Sequence, residues 1–323
     1  MKIKGRSISE TCHARTACTR RRFLKWQLCG ALWLASGPGL LLAPGRVGAA
    51  EPDLAVAKGG PTAATRAAVE LLGGMEKFVK PGQRVVIKPN MSFASPPEAA
   101  TNTHPEVVRT LVSLCQEAGA GSVFVLDNPL NELEACLQQS GIREACEPLG
   151  SGMVQGAVSE HLYQEADIPK GKSMRSNRFV KEALKADVLI AAPVAKHHGA
   201  TGVSLSMKGM MGLIMDRSVM HWKYGLHGAI VDLCTRLKAD LAVIDATRAL
   251  TTNGPFGPGE VERLDTVVAS RDMVAADAYV TEMVRWYGRS LRADQVKHLK
   301  IAHERGLGRI DVGNLQVSRV EAG

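Results

Sequence analysis

The stretch THPEVVRTLVSLCQEAGAGSVFVLD, residues 103–127, places a helix start, an amphipathic helix, a glycine turn and a strand in direct succession. Pro105 suits the first turn of the helix, where a backbone N–H would have no helical acceptor. Apolar residues recur on one helical face, and Gly119 and Gly121 end the helix before the β-branched run at 122–127. A helix that leads straight into such a strand is typical of the crossover units of a parallel sheet.

The same alternation of short apolar runs and helical patterns continues on both sides of this stretch. Besides 122–127, strands are predicted at 54–57, 84–88, 188–192, 241–245 and 266–270. Helices are predicted at 62–78, 105–118, 131–140, 178–186, 227–238, 272–286 and 294–305. The alternation predicts an α/β fold with a mostly parallel sheet and helices on both faces, built as a single domain over residues 51–323 or as two closely packed α/β lobes.

The first fifty residues have the organisation of an export signal. Thr19–Lys25 reads TRRRFLK, an apolar run interrupted by glycines and Pro38 follows at 26–42, and residues 48–50 (GAA) suit cleavage. The interrupted run is shorter than a membrane-spanning helix requires. We therefore expect residues 1–50 to be a twin-arginine signal peptide. The twin-arginine translocase would export the folded chain to a periplasmic or other extracytoplasmic location, with no stable membrane span after cleavage.

The net positive charge of the chain is concentrated in the predicted signal. Of the 40 Lys and Arg and 32 Asp and Glu residues, nine and one respectively lie in residues 1–50, which leaves 31 of each sign in the remainder. A chain near neutrality offers no basic stripe for a phosphate backbone, so we expect no nucleic-acid partner.

Cysteine usage argues against a cluster. The cysteines beyond the predicted signal are Cys115, Cys136, Cys146 and Cys234. They form no CxxC pair, so we expect neither an iron–sulfur cluster nor a structural zinc site on a local cysteine motif. In an oxidising compartment Cys136 and Cys146 could form a disulfide, and buried thiols on helices are the alternative.

Ionisable side chains follow four of the predicted strands at their carboxyl ends. These ends read Lys88-Pro89-Asn90, Asp127-Asn128-Pro129, Lys196-His197-His198 and Asp245-Ala246-Thr247-Arg248. Ligands of open parallel sheets bind beyond such ends, so the pattern predicts a site there. No glycine-rich dinucleotide fingerprint follows the first strand, and the sequence contains no P-loop.

Residues 192–212 (APVAKHHGATGVSLSMKGMMG) concentrate histidines, hydroxyl groups, a lysine and glycines between a strand and a helix. Imidazole nitrogens could hold a metal ion, and Lys208, Thr201 and backbone amides could instead hold an anion. His197 and His198 are adjacent, so their side chains point apart unless the loop bends sharply. Solvated loop histidines and a surface lysine are the non-functional interpretation.

Several motifs resemble the family catalogued as domain of unknown function 362. They are VVIKPN at 85–90, TNTHP at 101–105, PVAKHH at 193–198, SMKG at 206–209, the pair Asp245-Ala246 with NGP at 253–255, and SRDMVAADA at 270–278. The resemblance covers about residues 54–318 and implies the α/β fold. Many relatives carry a ferredoxin-like cysteine cluster that this sequence lacks, so we expect no redox chemistry through such a cluster.

A more distant resemblance is to the nickel-pincer lactate racemase family. That family places a histidine ten residues before a lysine in a glycine-rich turn, as His198 precedes Lys208 here. The aspartate and arginine of its Asp-His-Thr-Arg-Pro-like loop are missing from TNTHP at 101–105. The resemblance implies a site for a phosphate-bearing cofactor.

Together these observations predict an exported enzyme that depends on a metal ion or an anionic cofactor and acts on a small molecule. A non-catalytic periplasmic protein that binds a metal ion or a small anion is the alternative. The predicted catalytic residues are His198, Lys208 and Asp245. The predicted cofactor-binding residues are Lys88, Asn90, Thr101, Thr201 and Gly209. The predicted metal ligands are His197, His198 and Asp245.

Overall fold

A ten-stranded β-sheet runs through residues 51–323, the part of the chain that the computed structural model describes. The strands of these residues are β1 (Leu54–Gly59), β2 (Arg84–Pro89), β3 (Ser122–Asp127), β4 (Val154–Gly156), β5 (Tyr163–Asp167), β6 (Ser176–Val180), β7 (Val188–Ala192), β8 (Val194–His198), β9 (Gly202–Ser204), β10 (Leu241–Leu250), β11 (Val261–Ser270) and β12 (Val317–Ala322). Strands β5 and β6 pair separately in a small sheet. The predicted signal peptide, residues 1–50, lies outside the described residues.

The large sheet is mostly parallel, as predicted. Its strands follow the order β12-β1-β11-β10-β7-β2-β3-β4. Strand β11 is antiparallel to β1 and β10, and the other neighbouring pairs in this order are parallel. Strand β8 continues the sheet beside β10 and forms a hairpin with β9. Residues 51–323 form one compact unit.

Helices cover both faces of the sheet. They are α1 (Pro61–Leu71), α2 (Pro105–Glu117), α3 (Leu133–Ser140), α4 (Ile142–Cys146), α5 (Lys181–Leu184), α6 (Ser206–Gly209), α7 (Val219–Trp222), α8 (Leu226–Arg236), α9 (Met273–Met283) and α10 (Lys297–Glu304). Helices α1 to α4 pack on one face, and α6, α8, α9 and α10 pack on the other. No helix within residues 51–323 is long and apolar enough to cross a membrane.

Each central strand is apolar on both sides because it contributes to two cores. In β1, Leu54 and Val56 belong to one apolar cluster, and Ala55 and Ala57 belong to the other. Successive side chains of a strand point to opposite faces, so a sheet covered by helices on both faces requires apolar residues throughout its strands. This requirement explains the short unbroken apolar runs of the sequence.

The stretch at 103–127 folds as predicted. Helix α2 begins at Pro105, and the N–H of Glu106 donates a 3.1 Å hydrogen bond to the ring nitrogen of His104. The apolar face of α2 is buried, and β3 follows the glycine turn over the predicted residues. The order of helix, turn and strand thus follows from local sequence signals alone.

The predicted helix at 178–186 is wrong in its first part. Residues 176–180 form β6, which pairs antiparallel with β5, and helix α5 covers only Lys181–Leu184. The buried side chain of Phe179 joins the apolar cluster on that side of the large sheet. Pairing with a strand a dozen residues away therefore overrides the local helical pattern.

The four cysteines of the described residues are buried and unbonded. Burial raises the pKa of the Cys115 and Cys146 thiols to about 12. Such thiols stay protonated and behave as small apolar side chains. Of the two alternatives, the structure adopts the buried thiols.

Candidate anion-binding cleft

A cleft of about 490 Å³ opens at the carboxyl ends of β2 and β3. The β8–β9 hairpin, the turn after α6 and the loop 251–260 complete its walls. The polar side chains that line it are Lys88, Asn90, Ser92, Asp127, Lys196, His198, Ser204, Lys208, Arg217, Ser218 and His221. The position agrees with the rule that open α/β sheets bind ligands beyond their strand ends.

The β8–β9 hairpin sorts its consecutive side chains between two sides. Lys196 and His198 line the cleft, together with Ser204, which lies opposite Lys196 in the hairpin register. His197 lines a separate depression, where its ring meets the Tyr287 ring edge-on with centroids 4.9 Å apart. The alternation of a strand therefore separates the two adjacent histidines.

The floor of the cleft holds a buried ion pair. The Lys88 ammonium lies 3.0 Å from Asp127 Oδ1, and both side chains are at most 2% exposed. Asp127 also accepts hydrogen bonds from the backbone N–H groups of Asn128 and Met91 and from the hydroxyl of Ser92, at 2.8 to 2.9 Å. The carboxylate is therefore fully engaged by protein donors.

Lys196 is a second buried cation. Its ammonium donates a 2.5 Å hydrogen bond to the carbonyl oxygen of Thr101 and lies 5.0 Å from the centroid of the Phe93 ring. Burial lowers the pKa of Lys196 to about 7, against an opposing effect of Asp127 and with a smaller contribution from the positive charges of Lys88 and Lys208. This amine is consequently poised between its charged and neutral forms near neutral pH.

Lys208 lies on the short helix α6. The carboxylate of Asp277 positions this helix by accepting the N–H groups of Ser206 and Met207 at 2.8 and 2.9 Å. Among the described residues, no side chain or carbonyl forms an ion pair or hydrogen bond with the Lys208 ammonium. Burial, and then repulsion from Arg217 and other nearby cations, lowers its pKa to about 8.

His198 is neutral near neutral pH. Burial, together with the positive charges of Lys208 and Lys196, lowers its pKa to about 3. Its Nδ1 accepts a 3.2 Å hydrogen bond from the backbone N–H of Ala200. In the neutral ring the proton must therefore reside on Nε2, which assigns the tautomer from its hydrogen bond.

The charges of the cleft are unbalanced. Four cationic side chains line it: Lys88, Lys196, Lys208 and Arg217. Among the described residues of the lining, Asp127 supplies the single carboxylate. With all four cations protonated, positive charges exceed negative ones by three within a partly buried space. Such an excess favours binding of an anion, which would relieve repulsion that water cannot fully screen.

The expectation that Asp245 shares this pocket is corrected. Its carboxylate is fully buried and accepts hydrogen bonds from the backbone N–H of His104 (2.8 Å), from Thr247 (2.6 and 3.0 Å) and from Arg248 (2.9 Å). It is not among the residues that line the cleft. The predicted strand ended at Asp245, whereas β10 continues to Leu250, so this carboxylate lies within the strand.

The predicted metal ligands do not come together. His197 and His198 face opposite sides of β8, and Asp245 is enclosed by its own donors. No group of three His, Cys, Asp or Glu side chains within residues 51–323 is arranged to hold a metal ion. The set His197, His198 and Asp245 is therefore corrected as a metal site on geometric grounds.

The predicted cofactor-binding residues divide into two groups. Lys88, Asn90 and Gly209 line the cleft. Thr101 does not line it, and reaches it only through the carbonyl that accepts Lys196. Thr201 lies in the β8–β9 turn, where its hydroxyl donates to the carbonyl of Val203 at 2.8 Å. Neither threonine is among the residues that line the cleft.

Several lining residues were outside the predicted site. Asp127 and Lys196 belong to the strand ends that the sequence pattern singled out, so the signal for them was present. Arg217 and Ser218 lie in a segment without a distinctive motif. They are identified as lining residues only in the folded chain, which brings this segment back to the end of β3. There Arg217 donates a hydrogen bond to the carbonyl oxygen of Asn128.

The fold and the cleft together define an α/β protein with a cationic ligand-binding cleft at the carboxyl edge of a mostly parallel sheet. Residues 85–282 match the family model described as a domain of unknown function, DUF362. The chain belongs to this family, which confirms the resemblance of its motifs.

The comparisons give two known proteins to which the chain is similar. The chain is 29% identical over 233 residues to the thylakoid-associated protein sll1697 of Synechocystis, which covers 69% of this chain and 70% of that protein. It also aligns with the lactate racemase apoprotein of Thermoanaerobacterium thermosaccharolyticum, at 11% identity and a TM-score of 0.44. That alignment covers 68% of this chain and about half, 54%, of the racemase.

Proposed function

We propose that this protein is an exported enzyme that acts on a small organic anion, carrying a phosphate or carboxylate group, held in the cationic cleft. The observation that supports the proposal is the charge excess of the cleft, where the one lining carboxylate of the described residues is already saturated by protein donors. Lys208 and Arg217 would hold the anionic group.

The residues of the cleft fit one of the two expected kinds of cofactor and not the other. A phosphate-bearing cofactor would meet the same cations, so the donor set fits such a group. A metal ion held by protein side chains alone does not fit, because residues 51–323 place no three suitable ligands together. The proposal therefore depends on anion recognition and not on protein-based metal ligation.

Binding is tested with inorganic phosphate, by isothermal titration calorimetry on the purified full chain. Lys208→Met should weaken phosphate binding about 10- to 100-fold, because hydrogen bonds to charged groups contribute roughly 1.5–3 kcal/mol. The matched control is Lys300→Met on the exposed face of α10, which should leave the affinity unchanged. Equal effects of the two variants, or no phosphate binding by the parent protein, would overturn the proposal.

Turnover is favoured because Lys196 and His198 both line the cleft and can play complementary roles. A neutral Lys196 amine could take a proton from the bound molecule, and the N–H at His198 Nε2 would hydrogen-bond the ligand oxygen on which the negative charge develops. The proton moves to Nζ of Lys196, and the electron pair stays on the ligand. A pKa of about 7 suits a group that exchanges protons near neutral pH.

The catalytic part is tested by NMR in D2O with pyruvate and dihydroxyacetone phosphate, which carry exchangeable C–H groups beside a carbonyl. Deuterium incorporation above the uncatalysed rate should fall at least about 100-fold in Lys196→Met, the usual contribution of a positioned acid or base. Binding of either compound without exchange would favour the alternative of a non-catalytic binding protein.

Export is tested with residues 1–50 fused to a folded reporter. Replacing Arg20 and Arg21 together by lysine should abolish export, whereas Arg15→Lys, outside the twin-arginine motif, should not. Export that survives loss of the arginine pair would contradict a twin-arginine route while leaving the cleft proposal untouched.

A further inference from the structure

The two ends of the cleft differ in chemistry. At the floor, Lys88 and Lys196 are each 2% exposed and supply charge. At the mouth, Leu130 and Phe256 line the same cleft and are 49% and 64% exposed. We propose that the anion bound here is amphipathic, with its charged group among the cations of the cleft and an apolar group packed against Phe256 and Leu130. The inference rests on the proposed function and adds the class of ligand.

The apolar mouth contains a pair of aromatic rings in contact. The rings of Phe93 and Phe256 meet edge-to-face, with centroids 5.4 Å apart and planes inclined by 71°. Phe93 is buried and Phe256 is exposed, and Pro255 and Leu130 line the same cleft. Exposed aromatic and aliphatic side chains gain free energy when a ligand removes them from water, in proportion to the apolar area that is covered.

The loop that carries Phe256 is held in place by the protein. The backbone N–H of Asn253 donates to the Tyr287 hydroxyl at 2.9 Å, and that hydroxyl lies 3.0 Å from Asn253 Oδ1. Gly254 packs so closely that a Cβ there would lie 2.0 Å from the carbonyl oxygen of His197. The exposed position of Phe256 is thus fixed by contacts elsewhere in the loop, as expected for a preformed binding wall.

The shared cavity argues for a small molecule as the occupant. The cations and the apolar side chains border one cleft of about 490 Å³, so a single ligand of modest size can contact both. A flat membrane surface could cover Phe256 and Leu130, but it could not also reach the ammonium groups of Lys88 and Lys196 at the floor. The chemistry of the two ends therefore favours one molecule that carries both an anionic and an apolar group.

The test compares four probes by calorimetry: inorganic phosphate, glycerol 3-phosphate, butyl phosphate and phenyl phosphate. We expect butyl and phenyl phosphate to bind at least tenfold more tightly than glycerol 3-phosphate. Their ratio to each other distinguishes a chain from a ring as the apolar group. Phe256→Ser should remove the tenfold preference and leave the affinity for inorganic phosphate unchanged.

Two further variants keep the test independent of folding effects. Leu130→Ser, on a different segment of the mouth, should reduce the same preference. Val158→Ser, at an exposed valine outside the cleft, should not. Equal binding of glycerol and butyl phosphates would overturn the inference, as would binding of anionic phospholipid vesicles that depends on Phe256 without any preference among the soluble probes. Failure of all four phosphates to bind would instead overturn the proposed function.

Discussion

Two clusters of charged side chains near the strand ends each contain one carboxylate and differ in whether every charge has a partner. Around Asp245, one carboxylate meets one guanidinium, that of Arg248, and neighbouring N–H and hydroxyl groups fill its remaining acceptor sites. Arg248 in turn donates to the carbonyl oxygens of Pro97 and Asn102. In the cleft, Asp127 is likewise saturated, but Lys208 has no partner among the described residues.

This difference distinguishes charged residues with a structural role from those available to a ligand more clearly than the residue type does. A buried charge that is fully paired and hydrogen-bonded is satisfied by the protein itself. A cation that the folded chain leaves without a counter-ion is satisfied only by a ligand or by water. The Asp245 cluster thus links distant segments of the chain. The cleft instead leaves Lys208 free to bind an anionic ligand.

The largest expected effect is a loss of stability at the Asp245 cluster. Asp245→Asn should lower the free energy of unfolding by about 3–5 kcal/mol, because it leaves Arg248 buried without its anion and turns an amide donor toward other donors. Urea denaturation measures the change. Asp265→Asn breaks the exposed pair with Arg263 and should cost less than about 1 kcal/mol. Similar losses in both variants would remove the distinction between the clusters.

A pair of glycines tests the cleft wall next. At Gly212 a Cβ would lie 2.0 Å from Asp127 Oδ1 and 2.4 Å from Lys88 Cε, so Gly212→Ala should cost about 1–3 kcal/mol of stability through overpacking. At Gly209 an added Cβ would lie 4.0 Å from Cβ of Pro193, so the Gly209→Ala protein should fold normally. The added methyl group would lie in the cleft and should weaken phosphate binding. Thermal unfolding and calorimetry check both. A strongly destabilised Gly209→Ala protein would contradict this account.

Anion affinity should fall as pH rises. In the free protein burial and neighbouring cations lower the pKa of Lys208 to about 8, so this amine loses its proton above that pH and must regain it to hold an anion. Sulfate, whose own charge is constant in this range, should bind roughly tenfold more weakly at pH 9 than at pH 6.5. Lys208→Met should flatten the profile, and a flat profile in the parent protein would contradict the assignment.

The smallest expected effect is on the stability of the protein when a cation of the cleft is removed. Lys208→Met should change the free energy of unfolding by less than about 1 kcal/mol, or raise it, because the substitution removes repulsion without breaking a bond seen in the described residues. Urea denaturation compares it directly with Asp245→Asn. A loss as large as that of Asp245→Asn would show that Lys208 is a structural cation, and the contrast between the two clusters would fail.

The sequence predicted much of the fold and part of the site. Six strands were recognised because both of their faces are buried, which produces unbroken apolar runs. The short strands β5 and β6 were missed because they acquire their structure from each other. Lys88, Asn90, His198, Lys208 and Gly209 line one cleft. Lys88 and Asn90 lie there because parallel strands end at a common edge.

By itself the amino-acid sequence determined the alternation of helices and strands, the start of α2 and the gathering of charged residues at strand ends, since these depend on neighbours along the chain. Tertiary structure alone decided which of those charges found partners. Asp245 meets His104 across 141 positions, and Lys196 meets Thr101 across 95. Local patterning carries no information about such encounters, and the encounters determine whether a polar group is satisfied by the protein or left for a ligand.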